Sequence, residues 1–177
     1  GLAVEKEIKK AAESIARGIH CNPDEVFFTS GGTEGDNWAI YGTAEGYKRQ
    51  GRHFITTQIE HPAVKNPMKK LEEDGAEVTW LSVDRQGHIS LAELEAAIRP
   101  DTVLVSVILV NNETGTVQDA AAIGKLIKEK NPQTLFHLDA VQAFGKYPID
   151  VEKMKADLLT MSGHKIHGPK GTGMLFM

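Results

Sequence analysis

One lysine, Lys165, lies in a segment whose residue types could support covalent chemistry. The apolar run Leu158–Met161 predicts a buried strand, and Ser162-Gly163 ends that strand just before the lysine. Lys165 would then leave a sheet at its carboxyl edge, where open α/β sheets bind ligands. A lysine that is partly desolvated there can act as a neutral amine and condense with an aldehyde. The alternative is a solvated turn lysine, which the lone pair His164-Lys165 does not exclude.

A second candidate is the glycine turn Ser30-Gly31-Gly32-Thr33, which follows the predicted strand Glu25–Thr29. Two glycines let the backbone approach an anion closely, and the first amides of the following helix carry unpaired N–H groups. Gly32 and Thr33 could therefore hold a phosphate. The turn matches neither the Walker A motif nor the dinucleotide fingerprint, so a turn that serves only backbone geometry is the alternative.

Two polar side chains follow other predicted strands. His61, directly before Pro62, could lie against a flat aromatic cofactor and transfer a proton, or it could cap the helix that begins near Pro62. Asn112 follows the apolar run Val103–Val110 and could donate to a phenolate oxygen. It could equally belong to an ordinary turn that ends at Gly115.

Asp139 stands at the end of an apolar strand, where an unpaired carboxylate would be costly and therefore needs a cation. A protonated pyridine nitrogen would be a suitable cation, because the ion pair keeps the ring protonated and electron-withdrawing. Gln142 could reach a phenolic oxygen on the same ring. Asp139 could instead cap a helix or pair with a lysine. Taken together, these segments fit one cofactor, pyridoxal 5'-phosphate (PLP).

The elements that would position these residues alternate between strands and helices along the chain, which predicts βαβ units. We expect helices at 3–18 with a stop at Gly18, from the glycine turn to about Lys48, and at Ala63–Glu73, Leu91–Ile98 and Ala120–Lys130, with Ser90 as a cap. We expect strands at Glu25–Thr29, His53–Thr57, Glu77–Val83, Thr102–Val110, Thr134–Leu138, Leu158–Met161 and Met174–Met177. The predicted fold is α/β, with three α/β/α layers and a mainly parallel sheet in one domain.

Composition excludes several classes of function. The chain has 177 residues, 41% of them hydrophobic, and a net charge of −4 without a basic face, so we expect no nucleic-acid partner. No apolar run reaches the roughly 20 residues of a membrane helix, and no signal-peptide pattern is present, so we expect a cytoplasmic protein without a membrane partner. Cys21 is the single cysteine and has no metal-ligand neighbours. We interpret it as a loop residue and expect no metal.

Five motifs resemble, in order and spacing, those of the NifS/IscS-like cysteine desulfurases, which are class V members of the fold-type I PLP enzymes. The resemblance covers essentially the whole chain, and its last motif is quite specific. The motifs are Phe28-Thr-Ser-Gly-Gly-Thr-Glu34, Glu60-His61, Val110-Asn-Asn-Glu113, His137-Leu-Asp-Ala-Val-Gln142 and Ser162-Gly-His-Lys-Ile-His-Gly-Pro-Lys-Gly171.

This resemblance implies a role for each candidate residue. Lys165 would bind the cofactor covalently and later move protons at the substrate's α-carbon, and His61 would stack on the ring and assist in acid–base steps. Asp139 would pair with the pyridine nitrogen, while Asn112 and Gln142 would contact the phenolic oxygen. The phosphate would be bound by Gly32, Thr33, Ser162 and His164.

The resemblance also implies an activity and its partners. The parent protein would convert L-cysteine to L-alanine, as a homodimer. The sulfur would pass as a persulfide to an acceptor or scaffold protein, for iron–sulfur clusters or thio-cofactors. Alternatives are another class V lyase, such as one acting on selenocysteine, an aminotransferase, or a non-catalytic domain that holds PLP or binds a scaffold.

Part of the family pattern has no counterpart here. Family members are longer, and their C-terminal part carries the nucleophilic cysteine, the arginine for the substrate carboxylate and a residue that reaches the partner subunit. Cys21 lies before the glycine turn, so we do not assign it the persulfide role. We expect residues 1–177 to be a fragment of the large PLP-binding domain, inactive alone.

Overall fold

The computed structural model describes residues 1–177, and its seven strands form one sheet. The strands are β1 (Val26–Thr29), β2 (His53–Thr57), β3 (Glu77–Leu81), β4 (Thr102–Ile108), β5 (Leu135–Asp139), β6 (Leu158–Ser162) and β7 (Gly173–Phe176). Their order across the sheet is β1-β7-β6-β5-β4-β2-β3. The helices are α1 (Leu2–Ile19), α2 (Gly32–Gly46), α3 (Pro62–Glu73), α4 (Leu91–Ala97) and α5 (Ala120–Lys130).

The sheet is mainly parallel, as predicted. The pairs β2/β3, β2/β4, β4/β5 and β5/β6 are parallel, whereas β7 runs antiparallel to both β1 and β6. Two antiparallel steps make β1 parallel to β6. The carboxyl ends of every strand except β7 therefore meet at one edge of the sheet.

Several predicted boundaries need correction. The helix stop at Gly18 is wrong, because α1 continues to Ile19 and ends where His20 takes the left-handed conformation with φ 62°. The strand predicted to end at Val110 ends at Ile108, since Val110 forms only an isolated bridge with Val117. The Ser90 cap is confirmed, because its side chain accepts a hydrogen bond from Glu93 N at 3.2 Å.

Helices cover both faces of the sheet, which confirms the three-layer prediction. One apolar core packs α2 and α3 against one face, with Ile40, Val64 and Met68 fully buried. The larger core packs α1, α4 and α5 against the other face. Successive strand residues alternate between the two cores, as Phe54 and Ile55 do in β2.

Three observations bear on membrane, metal and thiol chemistry. None of the helices combines the length and the apolar character needed to cross a membrane. No group of three or more His, Cys, Asp or Glu side chains is arranged to hold a metal ion. Cys21 is a free thiol in the loop after α1, as predicted.

Candidate active site

A cleft of about 320 Å³ opens at the carboxyl edge of the sheet, where β4, β5 and β6 end. Every residue proposed from the sequence as a site residue lines this cleft: Gly32, Thr33, His61, Asn112, Asp139, Gln142, Ser162, His164 and Lys165. Four further residues complete its wall: Asp36, Ala63, Ile108 and Val141. The fold thus brings together side chains from five separate segments.

The glycine turn contributes the N-terminus of α2 to one side of the cleft. Gly32 and Thr33 are the first residues of α2, so their N–H groups have no acceptor within the helix. Gly173 of β7 lies directly against this turn, and a Cβ at Gly173 would come within 2.7 Å of Gly31 Cα and 2.8 Å of Met161 O. The close approach holds unpaired donors at the cleft, which favours an anion there.

Ser162 and His164 lie beside the glycine turn. Ser162 Oγ and His164 Nδ1 are 2.6 Å apart and hydrogen-bonded, so each fixes the orientation of the other. Ser162 is buried at the end of β6, whereas His164 is exposed in the short helical turn Gly163–Ile166. The two side chains add polar groups next to the free amides of α2.

Lys165 lies in that same turn, after β6 as predicted. The turn is held by hydrogen bonds from Gly163 N to Thr172 O and from Gly168 N to Gly163 O, both 2.9 Å. Lys165 lines the cleft together with Asp139 and Gly32, but it is an exposed residue. The partial desolvation of this lysine therefore stays a prediction, since its side chain is open to solvent at the cleft mouth in this chain.

His61 combines the two roles that the sequence left open. Its Nδ1 accepts a hydrogen bond from Ala63 N at 3.1 Å, so it caps α3, which begins at Pro62. The ring also lines the cleft. Because Nδ1 is an acceptor, the neutral ring carries its proton on Nε2, the nitrogen left free to exchange a proton.

Asn111 forms the turn, and Asn112 offers an amide donor to the cleft. Asn111 holds the turn, because its Oδ1 accepts from Glu113 N and Thr114 N, both at 2.9 Å, and its Nδ2 donates to Ile59 O at 3.0 Å. Asn112 makes no such bond, is exposed and lines the cleft. An amide donor is thus left free beside the site.

Asp139 is 2% exposed at the cleft floor and forms no ion pair with a lysine, so that alternative is wrong. Its Oδ1 accepts from Val141 N at 3.0 Å, which closes a local turn; no helix begins there, so the capping alternative is wrong too. Burial raises the pKa of Asp139, while the Val141 N–H opposes this rise. Gln142 is half-buried beside it in the cleft wall.

Asp36 is the main residue that sequence reasoning missed. It is 1% exposed, and burial first and then the charge of Asp139 raise its pKa well above the ordinary value. Its spacing offered a signal: Gly35, Asp36, Ala39, Ile40 and Thr43 recur at helical intervals, which marks the buried face of α2. A carboxyl on that face, one turn from the glycine turn, has to reach the cleft floor.

Comparison with known proteins identifies the family. The Aminotransferase class-V family matches residues 1–177. Cysteine desulfurase IscS of Neisseria meningitidis serogroup C is 52% identical over all 177 residues, which cover 43% of that protein. The IscS protein of Vibrio cholerae serotype O1 is 50% identical over the same span. The chain spans less than half the length of these curated relatives.

Solved structures show the same fold. A NifS-like protein superposes with a TM-score of 0.95 at 42% identity, covering 100% of this chain and 49% of the other. SspA in complex with cysteine superposes with a TM-score of 0.94 at 43% identity, covering 100% of this chain and 51% of the other. These matches confirm the predicted fold-type I architecture. The chain therefore belongs to the class-V aminotransferase family, and within that family it is similar to the NifS/IscS-like cysteine desulfurases.

Proposed function

We propose that this chain is the PLP-binding large-domain part of a cysteine desulfurase. The observation that carries the proposal is the meeting of Lys165, Asp139 and the free amides of Gly32 and Thr33 in one cleft. An amine, a buried acid and an anion site at three sides of one cavity match the aldehyde, the ring nitrogen and the phosphate of PLP. Class-V aminotransferases use this cofactor.

The residues fit PLP by two independent criteria. The floor carries buried carboxyl groups without a lysine or arginine partner, and a protonated ring nitrogen would supply the missing cation. The opposite wall is a helix N-terminus that close packing of Gly31 against Gly173 leaves open to a phosphate. Asp139 would therefore hold the ring nitrogen, and the N-terminus of α2 would hold the phosphate.

Each side chain then has a defined task. Asp139 holds the proton on the ring nitrogen, and Asn112 and Gln142 donate to the phenolic oxygen. Ser162 and His164 join Gly32 and Thr33 at the phosphate. When bound, PLP supplies an electron sink for the electrons left on the substrate's α-carbon. Lys165 would supply the amine for covalent attachment and then move protons at that carbon, while His61 would exchange its Nε2 proton within the cleft.

The substrate we propose is L-cysteine. Relatives are named cysteine desulfurases, and one structural neighbour is described in complex with cysteine. A protein thiolate attacks the sulfur atom of cysteine and becomes a persulfide as the Cβ–S bond breaks. The electron pair of that bond stays on Cβ, which gains a proton to give L-alanine. Cys21 is not that thiol, because it precedes β1 at the sheet edge opposite the cleft, and burial raises its pKa to about 11.

The homodimer and the sulfur-accepting protein implied by the resemblance stay predictions. The same holds for the use of the sulfur in iron–sulfur clusters or thio-cofactors. We infer a protein acceptor because a persulfide needs a second thiol to receive its sulfur.

Borohydride reduction tests cofactor binding directly. We expect PLP to give a visible absorption band with the protein, and reduction followed by peptide mapping to find the label on Lys165. Lys165→Ala should lose the band and the label. The matched control is Lys69→Ala, an exposed lysine of α3 that does not line the cleft and should keep both. A label on another lysine would overturn the assignment.

Analysis of the products formed from L-cysteine tests the reaction in the full-length parent protein. A desulfurase gives alanine and reducible sulfur in equal amounts, whereas an aminotransferase gives a 2-oxo acid and consumes an acceptor oxo acid. The 177-residue chain alone should bind PLP without turning over cysteine. Steady sulfide release by that chain would contradict its assignment as an inactive part.

A further inference from the structure

Two carboxyl groups, those of Asp36 and Asp139, lie side by side at the cleft floor and form what we call the acid pair. Both are almost fully buried, with exposures of 1% and 2%. Asp36 comes from the first turns of α2 and Asp139 from the end of β5. Both line the same cleft, each side chain changes the pKa of the other, and no lysine or arginine pairs with either one.

The hydrogen bonds around Asp36 do not suit a carboxylate. Asp36 Oδ1 has no hydrogen-bond partner. The nearby His137 Nε2 is 3.5 Å away and already engaged with Thr160 Oγ1 at 2.9 Å. Burial lowers the pKa of His137 to about 3, so this ring is neutral and supplies no cation. The hydrogen bond from the Thr160 side chain lowers the pKa of Asp36 and favours its ionised form, but no cation accompanies it. An ionised Asp36 would thus be buried next to Asp139 with Oδ1 unpaired, which is costly.

A protonated Asp36 has the opposite requirement, since its O–H needs an acceptor. The Asp139 carboxyl is such an acceptor. Asp139 is also the better place for the charge, because Val141 N donates to it and His61 favours its ionised form. Burial and the charge of Asp139 both raise the pKa of Asp36, and Asp139 has a backbone N–H donor where Asp36 Oδ1 has no partner, so we assign the one proton of the acid pair to Asp36.

We propose, resting on the PLP binding inferred above, that Asp36 is a positioning residue that carries a proton and donates it as a hydrogen bond to Asp139. Asp139 is then kept ionised and oriented in a site where it would otherwise take up a proton itself. The carboxylate is ready for the ring nitrogen before the cofactor arrives. The other titratable groups facing the acid pair are Glu60, His61, His137 and Lys165.

Two kinds of substitution separate the effect of the Asp36 hydrogen-bond donor from the effect of its charge. Asp36→Asn keeps a donor without a titratable proton, whereas Asp36→Leu and Asp36→Ala remove the donor. In the naturally expressed protein, we expect PLP affinity to fall about tenfold or more in the Leu and Ala variants, as for a lost hydrogen bond to a charged group, and less than about threefold in Asp36→Asn. The pH profile of the absorption band should shift in the Leu and Ala variants only.

A second readout needs no cofactor. Above the ordinary pKa of 3.8, unfolded Asp36 releases its proton while folded Asp36 keeps it, so the contribution of Asp36 to the melting temperature of the apoprotein falls as the pH rises. We expect this fall to be smaller in Asp36→Asn than in the native protein. Asp24→Asn, at an exposed position, is the matched control and should follow the native curve.

The outcomes test PLP binding at Lys165 and the positioning role of Asp36 separately. If the native protein forms no Lys165-dependent band, the proposed function fails, and the melting curves still test the proton on Asp36. If the band forms but Asp36→Leu binds PLP with native affinity and pH profile, the positioning role is wrong. Equal losses in Asp36→Asn and Asp36→Leu would show that the charge of Asp36, and not its hydrogen bond, matters, which also overturns the proposal.

Discussion

Glu60 Oε1 accepts a hydrogen bond from the backbone N–H of Ile108 at 3.0 Å, which joins the turn before His61 to the end of β4. The same oxygen accepts from Thr57 Oγ1 at 2.7 Å, while Oε2 has no partner. Burial raises the pKa of Glu60 to about 8. A neutral, buried carboxyl thus holds the segment that presents His61 to the cleft.

Glu60→Gln should flatten the pH dependence of stability. Between the ordinary pKa of 4.5 and the folded value of about 8, the folded chain keeps a proton that the unfolded chain has released. The free energy of unfolding therefore falls as the pH rises through this interval, by up to about 1.4 kcal/mol per pH unit for one proton. Urea unfolding across the interval measures the slope. Glu152→Gln, at an exposed position, should keep the native slope, and a variant Glu60→Gln that also keeps it would contradict the assignment.

Gly173→Ala should damage the phosphate side of the cleft. The new Cβ would lie 2.7 Å from Gly31 Cα and 2.8 Å from Met161 O, and backbone atoms cannot rotate away. We expect the free energy of unfolding to fall by about 1–3 kcal/mol and PLP affinity to fall with it. Gly42→Ala in α2 is the control, since nothing lies within 4 Å of its Cβ and alanine should stabilise the helix by about 0.5–1 kcal/mol. Chemical denaturation and a PLP titration report both effects.

The neighbours Asn111 and Asn112 should respond differently to alanine. Asn111→Ala removes four side-chain hydrogen bonds and should cost about 1–3 kcal/mol in the free energy of unfolding. Asn112→Ala should leave stability within about 0.5 kcal/mol, as for an exposed side chain, and change the absorption of bound PLP. Thermal unfolding and visible spectra separate the two. A spectral change in Asn111→Ala without any loss of stability would reverse the roles assigned here.

Cys21 should alkylate slowly in the folded chain. Its pKa rises from the ordinary 9.0 to about 11, first through burial and then through the charge of Glu25, so about 100-fold less thiolate is present near neutral pH. Iodoacetamide labelling followed by mass spectrometry measures the rate. Labelling in urea is the control, because the unfolded thiol should react at an ordinary rate. Fast labelling of the folded chain would contradict this environment for Cys21.

Much of this architecture is readable from the sequence, because strand and helix periodicities are local. Each predicted site residue follows a predicted strand, and parallel strands bring their carboxyl ends to one edge. The antiparallel direction of β7 was not predicted. It depends on the short return through residues 163–172, closed by the bond from Gly163 N to Thr172 O, which no periodicity reports.

Asp36 and Lys165 show why the rest was missed or misjudged. A polar residue within a helix, such as Asp36, is predicted to be solvated unless the element that packs on that helix face is known. The neighbour of Asp36 is Asp139, which lies 103 positions further along the chain. The exposure of Lys165 depends on what covers the cleft mouth, which local sequence does not state. Both properties arise from contacts between distant segments.

The insertion of β7 between β1 and β6 also constrains how the molecule is made. A ribosome releases β1 and its glycine turn early, yet both strands that flank this turn emerge only after residue 157. The nascent chain must therefore carry β1 as an unpaired segment until residues 158–176 have been made. PLP can bind only after β7, which ends at Phe176, has been made and has paired with β1, so the cofactor cannot act as a template for early folding.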